Sequence, residues 1–230
     1  MKAVIFAGGS GTRLRPFTFS IPKPLLPVGE KPILELIIRR LRSLGISDIT
    51  ITLGYGAELI EAYFGDGRKF GVRIRYSRES KPLGTAGPLK LVKGLNEPFL
   101  VMNGDILTKL DFRKMFRFHK KNRAAMTIAA RRYEDQLPFG TLSADGDSVL
   151  GIVEKPLKSH LISTGIYVLS PEARKKIPEN AFFTMPDLIK SLIRAKMPVL
   201  KYEFDDYWLG IERVSQLEEA NKKTKFWLGI

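Results

Sequence analysis

Apolar and polar positions alternate along the first half of the chain with two different periods. Lys2–Ala7 is a short apolar run that ends in glycines, which is typical of a buried strand. Residues 31–44 carry apolar side chains at helical spacing and stop at Gly45, which predicts a helix. The same reasoning predicts strands at Asp48–Leu53, 72–76 and 99–102, and helices at 58–64 and 86–92. This alternation predicts an α/β fold with a Rossmann-like mixed, mainly parallel sheet flanked by helices.

The second half of the chain is richer in β-branched runs. Strands are predicted at 124–131, 140–142, 149–154 and 163–169, and helices at 185–195 and 215–224. No linker, repeat or low-complexity segment divides the sequence, so we expect one domain over residues 1–230. Its first half covers about 1–122 and its second half about 123–230. The second half is expected to form a lid or subdomain over the first.

Composition narrows the class of protein. The chain has 230 residues, of which 44% are hydrophobic and 27% charged, as expected for a globular domain. No apolar run reaches the roughly 18 residues of a membrane span. The first apolar run breaks too early, at Gly8, for a signal peptide. We therefore expect a cytoplasmic protein without a membrane partner. Cysteine is absent, which excludes disulfides and thiolate chemistry.

The formal net charge of +14 is the one unusual global property. A strongly basic chain attracts polyanions, including nucleic acid and phosphorylated small molecules. The Lys and Arg residues are dispersed, however, which is typical of a solvated surface. No nucleic-acid partner is expected, and whether the chain forms a homo-oligomer is left open.

A glycine-rich loop directly follows the first strand. Its three glycines allow backbone N–H groups to approach phosphate oxygens closely. A dinucleotide fingerprint would need a further glycine at Leu14, and a Walker loop would need Gly-Lys-Ser/Thr, so both are excluded. Arg13 follows as a fixed cation, and Lys23 stands between two prolines that stiffen its backbone. The loop is therefore predicted to bind phosphate groups.

Asp105 follows the predicted strand 99–102, so its carboxylate can project at the edge of the sheet where ligands bind. Carboxylate oxygens suit Mg²⁺, which combines a few of them with substrate phosphates. Taken alone, Asp105 is equally well interpreted as a loop cap. Without the other motifs, Lys155 in Glu154-Lys155-Pro156 is interpreted as a turn residue.

Together these motifs resemble the signature of the sugar-phosphate nucleotidyltransferases, which include glucose-1-phosphate thymidylyltransferases and mannose-1-phosphate guanylyltransferases. The most specific stretch is Gly8-Gly9-Ser10-Gly11-Thr12-Arg13-Leu14-Arg15-Pro16 with Pro22-Lys23-Pro24-Leu25-Leu26-Pro27-Val28. The resemblance continues at Pro82-Leu83-Gly84-Thr85-Ala86-Gly87, Asn103-Gly104-Asp105, Glu154-Lys155-Pro156, Ser163-Thr164-Gly165-Ile166-Tyr167 and Tyr207-Trp208-Leu209. It covers nearly the whole chain. It implies the nucleotide-diphospho-sugar transferase type of fold, with a nucleotide-binding first half and a sugar-binding second half.

The resemblance implies Mg²⁺-assisted, in-line transfer of a nucleotidyl group from an NTP to a sugar 1-phosphate, giving NDP-sugar and pyrophosphate. The implied catalytic residues are Arg13 at the leaving pyrophosphate, Lys23 between the α-phosphate and the sugar phosphate, and Asp105 as a metal ligand. Implied nucleotide contacts are Ala7, Gly8, Gly9, Gly11, Thr12, Arg13, Glu79, Pro82, Gly84 and Thr85. Implied sugar-phosphate contacts are Lys23, Asn103, Gly140, Glu154, Lys155, Thr164 and Tyr167. Gly84-Thr85-Ala86-Gly87 opens the predicted helix, so its amides could also meet the nucleotide, and a plain helix-start turn is an equally good interpretation. No β-helical domain, as some relatives append, is expected within these 230 residues.

The chain departs from the family pattern near its C-terminus. Many relatives have a second metal-binding Asp where this sequence has Gly210. Positions 210 and 212 point the same way in an extended segment, so Glu212 is the first candidate for the second metal ligand. A water molecule in place of the ligand, or a contribution from Asp205 or Asp206, remains open.

Base and sugar specificity are weakly encoded. Glu79 stands at the position from which relatives read the base. Its carboxylate accepts hydrogen bonds and suits the N1–H and N2–H₂ donors of guanine. This slightly favours GTP with mannose 1-phosphate over dTTP or UTP with glucose 1-phosphate, although Glu79 could instead pair with Arg78 or Lys81. Gly210 also motivates a rival function, a catalytically weakened nucleotide-sugar-binding regulator, and the net charge motivates an RNA-binding protein.

Overall fold

The computed structural model describes residues 1–228, and a seven-stranded sheet organises them. The strands are β1 (Lys2–Ala7), β2 (Pro27–Val28), β3 (Lys31–Pro32), β4 (Asp48–Leu53), β5 (Arg73–Arg78), β6 (Phe99–Asn103), β7 (Ile106–Thr108), β8 (Met126–Gln136), β9 (Thr141–Asp145), β10 (Ser148–Val153), β11 (Leu157–Leu169), β12 (Val199–Glu203) and β13 (Trp208–Gly210). The α-helices are α1 (Ile33–Ser43), α2 (Ala57–Phe64), α3 (Phe112–Lys121), α4 (Pro171–Arg174), α5 (Met185–Arg194), α6 (Val214–Lys222) and α7 (Thr224–Leu228). Short 3₁₀ helices occur at Thr12–Leu14, Phe17–Phe19, Lys23–Leu25, Arg68–Phe70 and Gly87–Lys90.

The large sheet has the strand order β12-β8-β11-β6-β1-β4-β5. β1 lies at its centre and pairs in parallel with both β4 and β6. β11 runs antiparallel to its neighbours β6 and β8, whereas β12 pairs with β8 in parallel. The predicted mixed, mainly parallel sheet is therefore confirmed.

Helices cover both faces of this sheet, as its alternating side chains require. Successive residues of β1 enter opposite cores: Ile5 belongs to the cluster that includes the apolar residues of α1 and α2, and Val4 belongs to the one that includes those of α5. Both side chains are fully buried. Two buried faces explain why β1 is an almost continuous apolar run in the sequence. None of the helices within residues 1–228 combines the length and apolarity that a bilayer span requires.

The second half of the chain differs from the expected lid. β8, β11 and β12 extend the central sheet beyond β6, so the two halves share one continuous sheet. A separate antiparallel hairpin, β9–β10, lies between β8 and β11 in the sequence. α3 and β12 were not predicted, although Asp111 caps α3 by accepting a hydrogen bond from the Arg113 N–H.

The helix predicted at 86–92 is wrong in type and length. The structure has only a four-residue 3₁₀ helix, Gly87–Lys90, in this region. The N–H groups of Ala86 and Gly87 both donate to the carbonyl of Phe183, at 2.9 and 3.0 Å. These two amides are therefore committed to a distant segment and are not free for a nucleotide.

Candidate active site

A cavity of about 760 Å³ opens at the carboxyl ends of β1, β4, β5 and β6. Ligands of parallel sheets bind at this edge, beyond the strand ends. The cavity brings together residues from four loops and from the segment after β13. The predicted site residues that line it are Ala7, Gly8, Gly9, Gly11, Thr12, Arg13, Lys23, Glu79, Pro82, Gly84, Thr85, Asn103, Asp105 and Glu212.

The loop after β1 forms one wall of the cavity. Gly11 adopts φ +63°, and a Cβ there would lie 2.9 Å from the Thr18 side chain, so the position requires glycine. The Thr18 hydroxyl donates to the Gly11 carbonyl at 2.8 Å and holds the loop against the next turn. Within residues 1–228, the N–H groups of residues 9–11 find no acceptor. Free N–H groups in such a loop are suited to an anion.

Two ion pairs link the cations of the cavity to its carboxylates. The Lys23 ammonium contacts the Asp105 carboxylate, and the side chains are only 16% and 23% exposed. The Arg13 guanidinium contacts the Glu212 carboxylate nearer the solvent, with exposures of 66% and 51%. The partly buried pair has less screening from water than the exposed pair. Lys23 and Arg13, two of the cations predicted to bind phosphate, thus each lie beside a predicted metal ligand.

The pairing of β7 with β13 brings Glu212 to Asp105. In this antiparallel pair Gly210 lies opposite Ile106, and the N–H of Ile211 donates to the carbonyl of Asp105 at 2.9 Å. Glu212 follows immediately and lines the cavity, whereas neither Gly210 nor the alternatives Asp205 and Asp206 is among the lining residues.

Glu79 faces the cavity instead of pairing on the surface. Its neighbour Arg78 is engaged by Glu61, with Nη2 and Oε2 2.7 Å apart. The Glu79 Oε2 atom accepts a hydrogen bond from the N–H of Leu83 at 3.0 Å. Oε1 lies 3.2 Å from the position that a Cβ on Gly54 would occupy, against the opposite wall. Glu79 therefore presents a carboxylate oxygen inside the cavity, between two loops.

The loop after Glu79 is fixed by the segment that precedes α5. Gly84 has φ +78°, and a Cβ there would lie 2.7 Å from the carbonyl oxygen of Phe183. The Phe183 N–H also donates to Leu83, at 2.9 Å. Next to it, Phe182 is 66% exposed and lines the cavity. An aromatic ring thus lies at the cavity rim.

Five of the predicted sugar-phosphate contacts do not line the cavity. Gly140, Glu154 and Lys155 lie at the base of the β9–β10 hairpin, where a Cβ on Gly140 would be 2.8 Å from the Glu154 carboxylate. Thr164 is buried and donates to the Ala129 carbonyl at 2.7 Å. Tyr167 belongs to the second core cluster. The roles of these five residues in sugar binding stay predictions.

Asn103 connects the cavity with the second half of the chain. A Cβ on Gly165 would lie 2.7 Å from its amide nitrogen, so the side chain faces the bend between the two halves of β11. Sequence reasoning did not identify Ser80, Lys81, Tyr55 or Phe182 as cavity residues. Ser80 and Lys81 directly follow Glu79 and could have been inferred from it. Phe182 has no local signal, because its place depends on contacts with a loop far away in the sequence.

The chemistry of the donor set fits Mg²⁺ bound together with a substrate. Among residues 1–228 there is no group of three or more His, Asp or Glu side chains that could hold a metal ion alone. The cavity offers the carboxylate oxygens of Asp105 and Glu212, from adjoining segments. Mg²⁺ in nucleotide sites is commonly held by one or two carboxylates together with substrate phosphates.

Comparison with known proteins identifies the family to which this chain belongs. Residues 2–225 match the family model described as Nucleotidyl transferase. A UTP–glucose-1-phosphate uridylyltransferase of Synechocystis sp. is 34% identical, and the alignment covers 96% of this chain and 62% of that protein. A mannose-1-phosphate guanyltransferase of Yarrowia lipolytica is 35% identical, with 92% and 60% covered. The chain therefore belongs to the nucleotidyl transferase family.

Solved structures agree with this assignment. The structure of HddC from Yersinia pseudotuberculosis complexed with GMP-PN superimposes with a TM-score of 0.75 at 27% identity, covering 96% of this chain and 98% of that one. By contrast, the chain spans only about three fifths of the length of the two curated relatives above. The shared fold and family are thus those of a sugar-phosphate nucleotidyltransferase domain.

Proposed function

We propose that this chain transfers a nucleotidyl group from an NTP to a sugar 1-phosphate and releases pyrophosphate, with Mg²⁺ as cofactor. One observation carries the proposal: a single cavity holds the free amides of the glycine loop, the cations Arg13 and Lys23, and the carboxylates Asp105 and Glu212. Phosphoryl-type transfer needs positioning and neutralisation of charge more than a protein nucleophile, and this set supplies both.

In the proposed reaction an oxygen of the sugar phosphate attacks the α-phosphorus, and the bond to the β-phosphate oxygen breaks as pyrophosphate leaves. The attacking phosphate is already ionised, so the chain needs no general base. Lys23 is held by its flanking prolines and lies deep in the cavity, where it can neutralise both phosphates that meet at the α-phosphorus. Arg13 lies nearer the cavity mouth and suits the departing pyrophosphate. Mg²⁺, held by Asp105 and Glu212 with the substrate phosphates, would supply further charge neutralisation.

The proposed nucleotide is GTP. The carboxylate of Glu79 enters the cavity and is free of Arg78, so it can accept hydrogen bonds from N1–H and N2–H₂ of guanine. Uracil and thymine present a carbonyl oxygen and one N–H in the equivalent region, and a carboxylate repels that oxygen. A guanyltransferase among the relatives and a GMP-PN complex among the similar structures agree with this choice.

Mannose 1-phosphate is the proposed acceptor, because the guanine-using relative acts on it by name. Lys155 is proposed to bind the sugar phosphate and Glu154 the sugar hydroxyls. Lys155 has φ +45°, an uncommon conformation for a residue with a Cβ and one that clusters at functional sites.

The test is a substrate matrix on the purified chain. Pyrophosphate release is measured for GTP, UTP, dTTP, ATP and CTP, each with mannose 1-phosphate and glucose 1-phosphate, with Mg²⁺ and with EDTA. We expect the highest kcat/KM for GTP with mannose 1-phosphate, and no turnover in EDTA. Asp105→Ala should abolish Mg²⁺-dependent turnover, whereas Asp111→Ala, at the cap of α3 outside the cavity, should not.

A rival function rests on Gly210, which stands where the family resemblance implies a metal-binding carboxylate. A nucleotide-sugar-binding regulator would bind NTP but release no pyrophosphate with any sugar 1-phosphate. That pattern, in a folded protein, contradicts the enzyme. Wild-type turnover in Asp105→Ala would instead contradict the role of that residue alone.

A further inference from the structure

Residues 131–163 form an arm in which no residue is buried. The arm consists of the distal part of β8, the β9–β10 hairpin and the first part of β11. β12 pairs with β8 over 126–130, and β6 pairs with β11 over 166–169. Beyond those points the β8–β11 ribbon has no neighbouring strand among the described residues. Isolated two-stranded ribbons are at best marginally stable in water, so an arm of this kind requires a covering surface.

One face of the hairpin of the arm is apolar. Leu142 and Ala144 alternate with polar residues along β9, and they lie opposite Ile152 and Val149 of β10. Because directly opposed residues share a face of a sheet, these four side chains form one apolar face, which we call the hairpin face. Its three large side chains are 61–66% exposed. A contiguous apolar face of this sort marks an interaction surface.

The total surface of the chain points to an interface of ordinary size. A monomeric globular protein of 25.9 kDa is expected to expose about 10,500 Å². This chain exposes 12691 Å², an excess of about 2,200 Å² over that expectation. A standard interface buries about 800 Å² on each partner. The excess is thus larger than the area that one partner contributes to a standard interface.

Charge indicates which partner fits. The arm has four basic and five acidic side chains, a net charge of −1. The rest of the chain has 34 basic and 19 acidic side chains, a net charge of +15. Two copies repel each other strongly through any contact between these basic surfaces. The arm is the element through which two copies can meet without that repulsion, whereas a strongly acidic partner would bind elsewhere.

We propose that the arm is the association surface of a homodimer, in which the hairpin faces of two copies pack against each other. A two-fold pair is self-complementary, since the same face is contributed by both subunits. The pair covers Leu142, Val149 and Ile152. It also fixes the arm that carries Gly140 and Glu154, whose proposed contact with the sugar is a separate matter.

The test is the molar mass in solution, by light scattering on a sizing column and by sedimentation equilibrium. We expect wild type at twice the 25.9 kDa of the chain and Ile152→Asp at the mass of one chain. Leu142→Asp should act likewise. Leu59→Asp is the matched control, because Leu59 is a half-exposed leucine outside the arm, on α2, and its variant should remain dimeric.

Salt provides a second readout. Dimerisation through an apolar face between basic bodies should strengthen as ionic strength rises from about 0.05 to 0.5 M, because salt screens the repulsion. Circular dichroism checks that the arm variants remain folded, as expected for exposed positions. A monomeric wild type at 50 μM, or a dimer unchanged by both arm substitutions, overturns the proposal. Dissociation of the dimer by added salt would also overturn it, since ion pairs would then hold the pair.

Discussion

Replacing Glu79 with glutamine should change the base that the chain prefers. Glutamine has the same shape, and its amide oxygen can still accept the hydrogen bond from the Leu83 N–H that Glu79 Oε2 accepts at 3.0 Å. That bond orients the side chain and directs the NH₂ group at the base. A donor then faces the N1–H and N2–H₂ donors of guanine, in place of the carboxylate oxygen in the cavity.

The expected magnitude follows from the hydrogen bonds lost. A hydrogen bond to a charged group contributes about 1.5–3 kcal/mol, and the opposed donors add a desolvation cost of similar size. A total loss of about 3–6 kcal/mol corresponds to roughly a 10²- to 10⁴-fold fall in kcat/KM for GTP. UTP gains a donor for its carbonyl oxygen, so its kcat/KM should stay level or rise.

The assay is pyrophosphate release at a fixed, saturating sugar 1-phosphate, with kcat/KM measured for GTP and UTP in each variant. Glu203→Gln is the matched control. It makes the same chemical change at a carboxylate that pairs with Lys201 and Arg132 outside the cavity, and it should leave the GTP-to-UTP ratio unchanged. A ratio in Glu79→Gln within about threefold of wild type would refute the reasoning, since even one charged hydrogen bond is worth more than that.

Three further outcomes are expected. Lys155→Ala should raise KM for the sugar 1-phosphate at least tenfold in steady-state assays, and an effect confined to KM for the NTP would contradict the assignment. Gly84→Ala should raise the Kd for the NTP, measured by calorimetry, at least tenfold. The reason is that the added Cβ would lie 2.7 Å from the backbone carbonyl oxygen of Phe183. Gly45→Ala has a similar φ of +79° in open space, so it should lower stability alone. Burial lowers the pKa of His119 from 6.5 to about 4. Between pH 6.5 and pH 4 the imidazole is therefore protonated in the unfolded chain but neutral in the folded chain. The free energy of unfolding consequently falls as the pH drops through this range. Urea unfolding measures the free energy of unfolding at pH 7 and at pH 4. The decrease between these two pH values should be larger in wild type than in His119→Asn by up to about 3 kcal/mol. His160 is exposed, so His160→Asn should show the same decrease as wild type.

The strands and phosphate loop of the first half were predictable because their signals are local. β1 is an apolar run and β4 alternates β-branched residues, and both strands have the predicted bounds. The glycine loop follows β1 directly, so its place at the sheet edge comes with the strand. Lys23 and Asp105 were expected at this cavity for the same reason, and both line it.

Contacts between residues that are far apart in the sequence could not be predicted in the same way. The amides of Ala86 and Gly87 face a carbonyl almost a hundred residues away, and no local pattern indicates that they are occupied. The alternation in β9 predicts a strand with one apolar face, but it cannot tell whether that face is covered. For Glu212 the alternation of side chains indicated only the direction of the carboxylate, and the pairing of β7 with β13 brings it beside Asp105.

The charges of the cavity are balanced before a substrate binds, and this affects what can bind. Lys23 pairs with Asp105, and Arg13 pairs with Glu212. A triphosphate without a metal ion can bind Lys23 and Arg13 only if Asp105 and Glu212 lose their partners. Both carboxylates would then lie unpaired beside the negative charges of the triphosphate. The cost is greatest at Asp105, because that pair is the more buried. When an NTP binds together with a divalent cation, the phosphates pair with Lys23 and Arg13, and the cation becomes the new partner of the two carboxylates. Charge balance alone therefore favours the metal complex of the nucleotide over the free nucleotide, and it makes phosphate binding and metal binding mutually dependent.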